Sequence, residues 1–122
     1  MAELKVGDRV FLTGGYEWNA PWLCGKDGYY GHILAFVACR KPTVVRFDDR
    51  PLAVVKLDEP ISFWGITGNI LIMELRYWGT TWRETETVQV HLLETPPKGK
   101  LVLDHTAPSY VESHATYKIV QN

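Results

Sequence analysis

The chain has 122 residues, 46% of them hydrophobic and 22% charged, which suits one compact domain with a single core and leaves no room for separate cofactor and substrate lobes. Disordered and collagen-like classes are excluded by the same composition. Thirteen basic against fourteen acidic residues give a net charge of −1, without the positive surplus that supplies most of the affinity of sequence-independent nucleic-acid binders, so nucleic acid is a disfavoured partner.

In chain order, Val6-Gly7-Asp8-Arg9-Val10-Phe11-Leu12 alternates apolar and polar residues ahead of Gly14-Gly15 and predicts a first, half-buried strand. Residues 13–31 hold Gly14, Gly15, Pro21, Gly25, Gly28 and Gly31 among Tyr16, Trp18, Trp22, Tyr29 and Tyr30. That is too many breakers for a helix and too many large rings for a disordered tract, so an ordered, aromatic-bearing loop is expected. Residues 31–38 are apolar over strand length and give strand two. A loop with two prolines and the string Arg46-Phe47-Asp48-Asp49-Arg50 follows, then strand three over residues 52–57, stopped by Asp58-Glu59-Pro60. Gly65-Ile66-Thr67-Gly68-Asn69 reads as a turn. Residues 70–78 tolerate a helix through Leu, Met and Glu, but Gly68 and Gly79 bracket them at strand length, so they are read as strand four. Val88, Val90 and Leu92 alternate with Gln89 and His91 in strand five, before Pro96-Pro97 ends it.

Five short strands without a convincing amphipathic helix point to an all-β barrel or tightly rolled sheet over residues 1–97. In the C-terminal extension, residues 98–122, Ser109-Tyr110-Val111-Glu112 has the spacing of a helix capping box, while Val111, Ser113, Ala115, Tyr117 and Ile119 alternate as in a strand. Both readings stay open. Either way its apolar residues must cover the barrel or a neighbouring chain.

Val6-Gly7-Asp8-Arg9-Val10, a glycine loop and Gly28-Tyr29-Tyr30-Gly31-His32-Ile33 together resemble the opening of SH3-like barrels, including KOW-type modules. The resemblance implies a small SH3-like barrel of about five strands, and in its KOW form a contact with nucleic acid or the ribosome. The Gly7-Asp8-Arg9-Val10 start and the strand Val88-Gln89-Val90-His91 also look like the plasmid-borne type II dihydrofolate reductases. Those are SH3-like barrels in which four copies share a pore and a Val-Gln-Ile-Tyr strand binds folate and nicotinamide. This likeness implies an alternative pore site at Gln89, Val90 and His91. The sequence departs from the pattern where His91 replaces the tyrosine and Leu12 stands where a basic residue is expected, which removes a partner for an anionic tail. The chain is also similar to small proteins encoded on mobile gene cassettes.

No serine or cysteine has a recognisable nucleophile setting, and neither a P-loop nor a G-x-G-x-x-G is present. His32, His91, His105 and His114 fall on different predicted segments, and Cys24 and Cys39 form no C-x-x-C, so no metal site and no cofactor are expected. Asp48-Asp49 between two arginines reads as a solvated charge patch. Two cysteines suit a reducing compartment, the opening Met-Ala-Glu-Leu-Lys lacks a leader pattern, and no stretch is long enough to span a bilayer; a cytoplasmic chain without a membrane partner is the expectation. What remains is the aromatic inventory. Rigid rings on loops give large contact area at low entropy cost and attract cations on their faces. Tyr16, Trp18, Trp22, Tyr30, Trp64 and Trp82 are therefore the candidate ligand-binding residues of a non-catalytic binding module for a small molecule or peptide. Apolar strands in so short a chain also leave an edge to be paired, which points to a homo-oligomer.

Overall fold

The structure, a computed structural model, describes residues 4–14, 20–38, 41–42, 47–48, 51–73, 76–77, 88–95, 110–113 and 116–120. Among the described residues, every regular element apart from a 3-10 turn at Pro21–Leu23 is a strand, and the fold is all-β. The strands are β1 (Arg9–Thr13), β2 (Tyr29–Ala38), β3 (Lys41–Pro42), β4 (Phe47–Asp48), β5 (Pro51–Phe63), β6 (Ile66–Met73), β7 (Arg76–Tyr77), β8 (Val88–Leu93), β9 (Tyr110–Ser113) and β10 (Thr116–Ile119). Eight of them form one sheet in the order β7-β10-β1-β2-β5-β6-β8-β9, and β3 pairs separately with β4. Neighbours are antiparallel except β10 and β7, which run parallel. Among the described residues no helix is long and apolar enough to cross a membrane.

Three sequence expectations are corrected here. The count of five strands is too low: β3 and β4 are two-residue pieces too short to carry a period, residues 70–78 hold parts of two strands, β6 and β7, and β9 and β10 come from the tail, where helix and strand both stay open in the sequence. Strand three does not stop at Asp58-Glu59-Pro60: β5 continues to Phe63. Its register with β6 jumps from Lys56↔Ile70 to Ile61↔Gly68, so residues 57–60 stand opposite Asn69 alone, and Pro60 falls in a bulge where its missing N–H is not needed. Finally, the turn after β5 is Trp64-Gly65, and residues 66–69 already belong to β6. The tail, open between helix and strand, is extended in both described pieces: β9 pairs with β8 and β10 with β1.

Two short covalent links set the sheet's shape. β9 stands at one end of the order and β10 one place from the other, yet only two residues separate Ser113 from Thr116. Three Cα-to-Cα steps reach about 11 Å, whereas a flat sheet would hold these strands about 29 Å apart. Met73 and Arg76 make the same demand, since two residues join strands that lie five places apart. The sheet must therefore curl, so that β6 and β7, and likewise β9 and β10, come close enough in space for these two-residue links. β7 and β9 remain its ends, so among the described residues no ladder closes the roll, and the hydrogen-bonded closure of a barrel is not observed.

Alternation places the core. Val10, Leu12, Ile33, Val55, Leu71 and Leu92 bury one face of the sheet, joined by Trp22 from the 3-10 turn. On the opposite face, Leu52, Val54, Ile70 and Ile72 form a second buried cluster. Each such side chain contributes about 1.5–3 kcal/mol when fully buried. β5 and β6 are thus apolar on both faces along their paired halves, while β1 and the start of β2 turn an open face outward.

Candidate functional site: a cleft where two strands part

The β2–β5 ladder starts at Gly31↔Leu57. N-terminal to Gly31, the chain leaves β5 and bends toward β1. A glycine at position 28 makes this close approach feasible, since a Cβ there would collide with the Leu12 carbonyl oxygen and the Phe11 ring. Cys24, in the left-handed conformation at φ 53° and ψ 39°, and Gly25 at φ 79° complete the reversal after the 3-10 turn. Opposite, β5 carries its bulge at residues 57–60. Between the parted chains lies a cleft of about 580 Å³. One wall holds Cys24, Lys26, Gly28, Tyr29 and Tyr30, and the other is residues 57–62 of β5.

The walls are held by specific contacts. The Tyr29 hydroxyl donates to the Leu23 carbonyl, and its ring leans on Trp22 with centroids 6.2 Å apart. Burial pushes the Tyr29 phenol above its ordinary range, and the neighbouring Cys24 sulfur adds to the effect by charge and by hydrogen bonding. The Cys24 thiol donates across the cleft to the Ser62 carbonyl at 3.1 Å. Tyr30 packs against Phe11, its cross-strand partner, at 4.7 Å and 51°. The Arg9 guanidinium sits 5.4 Å from the Tyr30 ring centre and forks onto Asp58, with Nη2 to Oδ2 at 2.6 Å and Nη1 to Oδ1 at 3.3 Å. Tyr30 is therefore fixed by two neighbours while 49% of its surface stays exposed. Asp58 has its counterion in Arg9. Lys26 and Glu59, on facing walls, make no ion pair with any described residue.

The residues expected to bind a ligand separate. Tyr30 lines the cleft. Trp64 is 60% exposed at the tip of the β5–β6 hairpin and does not line it. Trp22 is 0% exposed, a core ring out of reach of a ligand. Tyr16, Trp18 and Trp82 lie outside the described residues. Hence the described rings do not gather into one aromatic cluster. Of the alternative pore site, Val90 is in the main core and His91 is 3% exposed on the sheet's other side, both inside the protomer; Gln89 is placed only by its register opposite Glu112.

No family model, no curated protein and no solved structure matches this chain. The cleft thus stands on its own geometry. Cys24, Lys26, Glu59 and Ser62 were not singled out by sequence reasoning. Asp58-Glu59-Pro60 did carry a signal, as a break in an apolar run, but a bulge and a strand end give the same pattern.

Proposed function

We propose that the rolled sheet is an SH3-like barrel acting as a non-catalytic binding module, which holds a small molecule or peptide in the cleft beside Tyr30. The observation that carries this reading is the cleft itself, about 580 Å³ and walled by an exposed ring that Phe11 and Arg9 already hold in place. Ligand sites are concave, of about 300–1,000 Å³, and combine apolar surface with a few fixed polar groups. Pro60 and the rings of Tyr29 and Tyr30 provide the apolar part, and Lys26 and Glu59 the polar part. A ring immobilised before binding loses little conformational freedom when a ligand meets it. The two-residue links from β6 to β7 and from β9 to β10, which require a curled sheet, together with the bulges in β2 and β5, support the barrel reading, because small barrels turn their corners with bulges.

The test is an amide NMR titration of the full chain with a set of amino-acid amides, short blocked peptides and small aromatic amines. Expected are shifts confined to Gly28, Tyr30, Asp58 and Ile61, and an affinity at least about tenfold weaker in Tyr30→Ala, which still unfolds in one cooperative transition at a midpoint lowered only by the loss of its contacts with Phe11 and Arg9. Shifts centred on another surface, or none with any probe, would refute the reading.

A further inference from the structure

Resting on that reading of the cleft, we infer that its occupant is an extended peptide, laid as an added strand along the β2-facing edge of β5 at residues 58–62. β5 remains a strand as far as Phe63, but its register with β2 ends at Leu57. On the other side β5 resumes pairing with β6 at Ile61. Residues 61 and 62 pair with β6 alone, and residues 58–60, in the bulge, pair with neither neighbour, so the stretch leaves β5 an open side along the cleft, and open strand sides bind strands through main-chain hydrogen bonds. The Ser62 carbonyl displays this directly: it points into the cleft, where the Cys24 thiol meets it at 3.1 Å. A thiol is a weak donor, so a peptide N–H replaces it with gain. Fully extended, five residues would run about 17 Å, and the bulge shortens this, so a peptide of at most five residues matches the stretch.

The side chains define the peptide's chemistry. Asp58 is neutralised by Arg9, so the charge that β5 offers an incoming chain is Glu59, and the facing wall offers Lys26. A strand with one basic and one acidic side chain around an apolar residue for Pro60 and the Tyr30 ring is complementary to both walls. A compact small molecule would use the apolar floor and leave the edge unpaired.

The probe is the blocked pentapeptide acetyl-Lys-Val-Thr-Val-Glu-amide, with two analogues N-methylated at alternate residues, positions 1, 3 and 5 in one and 2, 4 and 6 (the terminal amide) in the other. Expected are shifts of the Asp58, Glu59 and Ser62 amides with the parent, loss of at least tenfold in affinity in one analogue and less in the other, and severalfold tighter binding to Cys24→Ala, whose thiol no longer competes for the Ser62 carbonyl. If both analogues bind like the parent, side chains alone hold the ligand, and the added strand is wrong while the binding cleft stands. If small aromatic amines shift the cleft amides and the pentapeptide does not, the added strand is again wrong. Absence of cleft shifts with every probe overturns both readings.

Discussion

Trp64 and Gly65 join β5 to β6 with φ of 53° and 77°, flanked by the pair Phe63↔Ile66. Two successive positive φ values make a type I′ turn, whose preferred sequence is Asn-Gly, and a bulky residue in the left-handed region costs about 1–2 kcal/mol. With its ring 60% exposed, Trp64 recovers little of this through packing. Trp64→Asn should therefore stabilise the protein by about 1 kcal/mol, read as a higher urea midpoint at constant m-value; a lower midpoint would mean that the indole packs on the fold. Tyr29 makes a prediction of the opposite kind, through pH. Its phenol is pushed above the ordinary 10.0 by burial first and by Cys24 second. Above about pH 10 the unfolded chain releases this proton while the folded chain keeps it, so unfolding gains from each further rise in pH. The contribution is complete below pH 10 and is lost as pH climbs toward the folded-state value. In Tyr29→Phe the fall in stability between about pH 10 and 11.5 should be shallower, while stability at neutral pH drops by about 0.5–1.5 kcal/mol for the missing bond to Leu23. Equal alkaline slopes in the two proteins would show that Tyr29 does not retain its proton.

At the scale of elements, β5 and β6 explain both what could be read and what could not. Strict alternation at Val88-Gln89-Val90-His91 suggested a strand, and β8 is there. Ile70-Leu71-Ile72-Met73 has no alternation because Leu71 and Met73 enter one core while Ile70 and Ile72 enter the other. An apolar run of that kind has no period with which to separate strand from helix, and only its bracketing glycines argued for the strand. The bulge at residues 57–60 was hidden for a different reason: whether Pro60 ends a strand or is skipped by its partner depends on β6, not on the local sequence. Burial on both faces makes a quantitative demand. Leu71→Ala and Ile72→Ala, on opposite faces and both 0% exposed, should each cost about 2–5 kcal/mol in denaturant unfolding. A cost for Ile72→Ala below about 1 kcal/mol would mean that the second face is not a packed core.

For the molecule as a whole, the decisive contacts are long in sequence and short in space, which is why the roll and the cleft were harder to read than the strands. Tyr30 was visible as a candidate because a ring in a glycine-rich loop stands out by residue type. Lys26 and Glu59 were not, since what brings them to facing walls is the parting of β2 from β5, more than thirty positions apart, and no local pattern encodes it. The same non-locality assigns the tail a structural part. β10 covers the outer edge of β1 through Val10↔Ile119 and Leu12↔Tyr117, and β9 lines β8 through Val90↔Val111. Removing both would bare two edges and uncover Val10, Leu12 and Val90, which are each 0% exposed. The effect should exceed a simple loss of two strands, because the link between Ser113 and Thr116 is also what draws the sheet's ends together. A chain ending at residue 97 is therefore expected to lose cooperative unfolding in urea and to associate at its bared edges, measured by circular dichroism and sedimentation. A truncated chain that stayed monomeric and unfolded in one sharp transition would require the first 97 residues to close on themselves, and would remove the tail from the account of how this sheet is rolled.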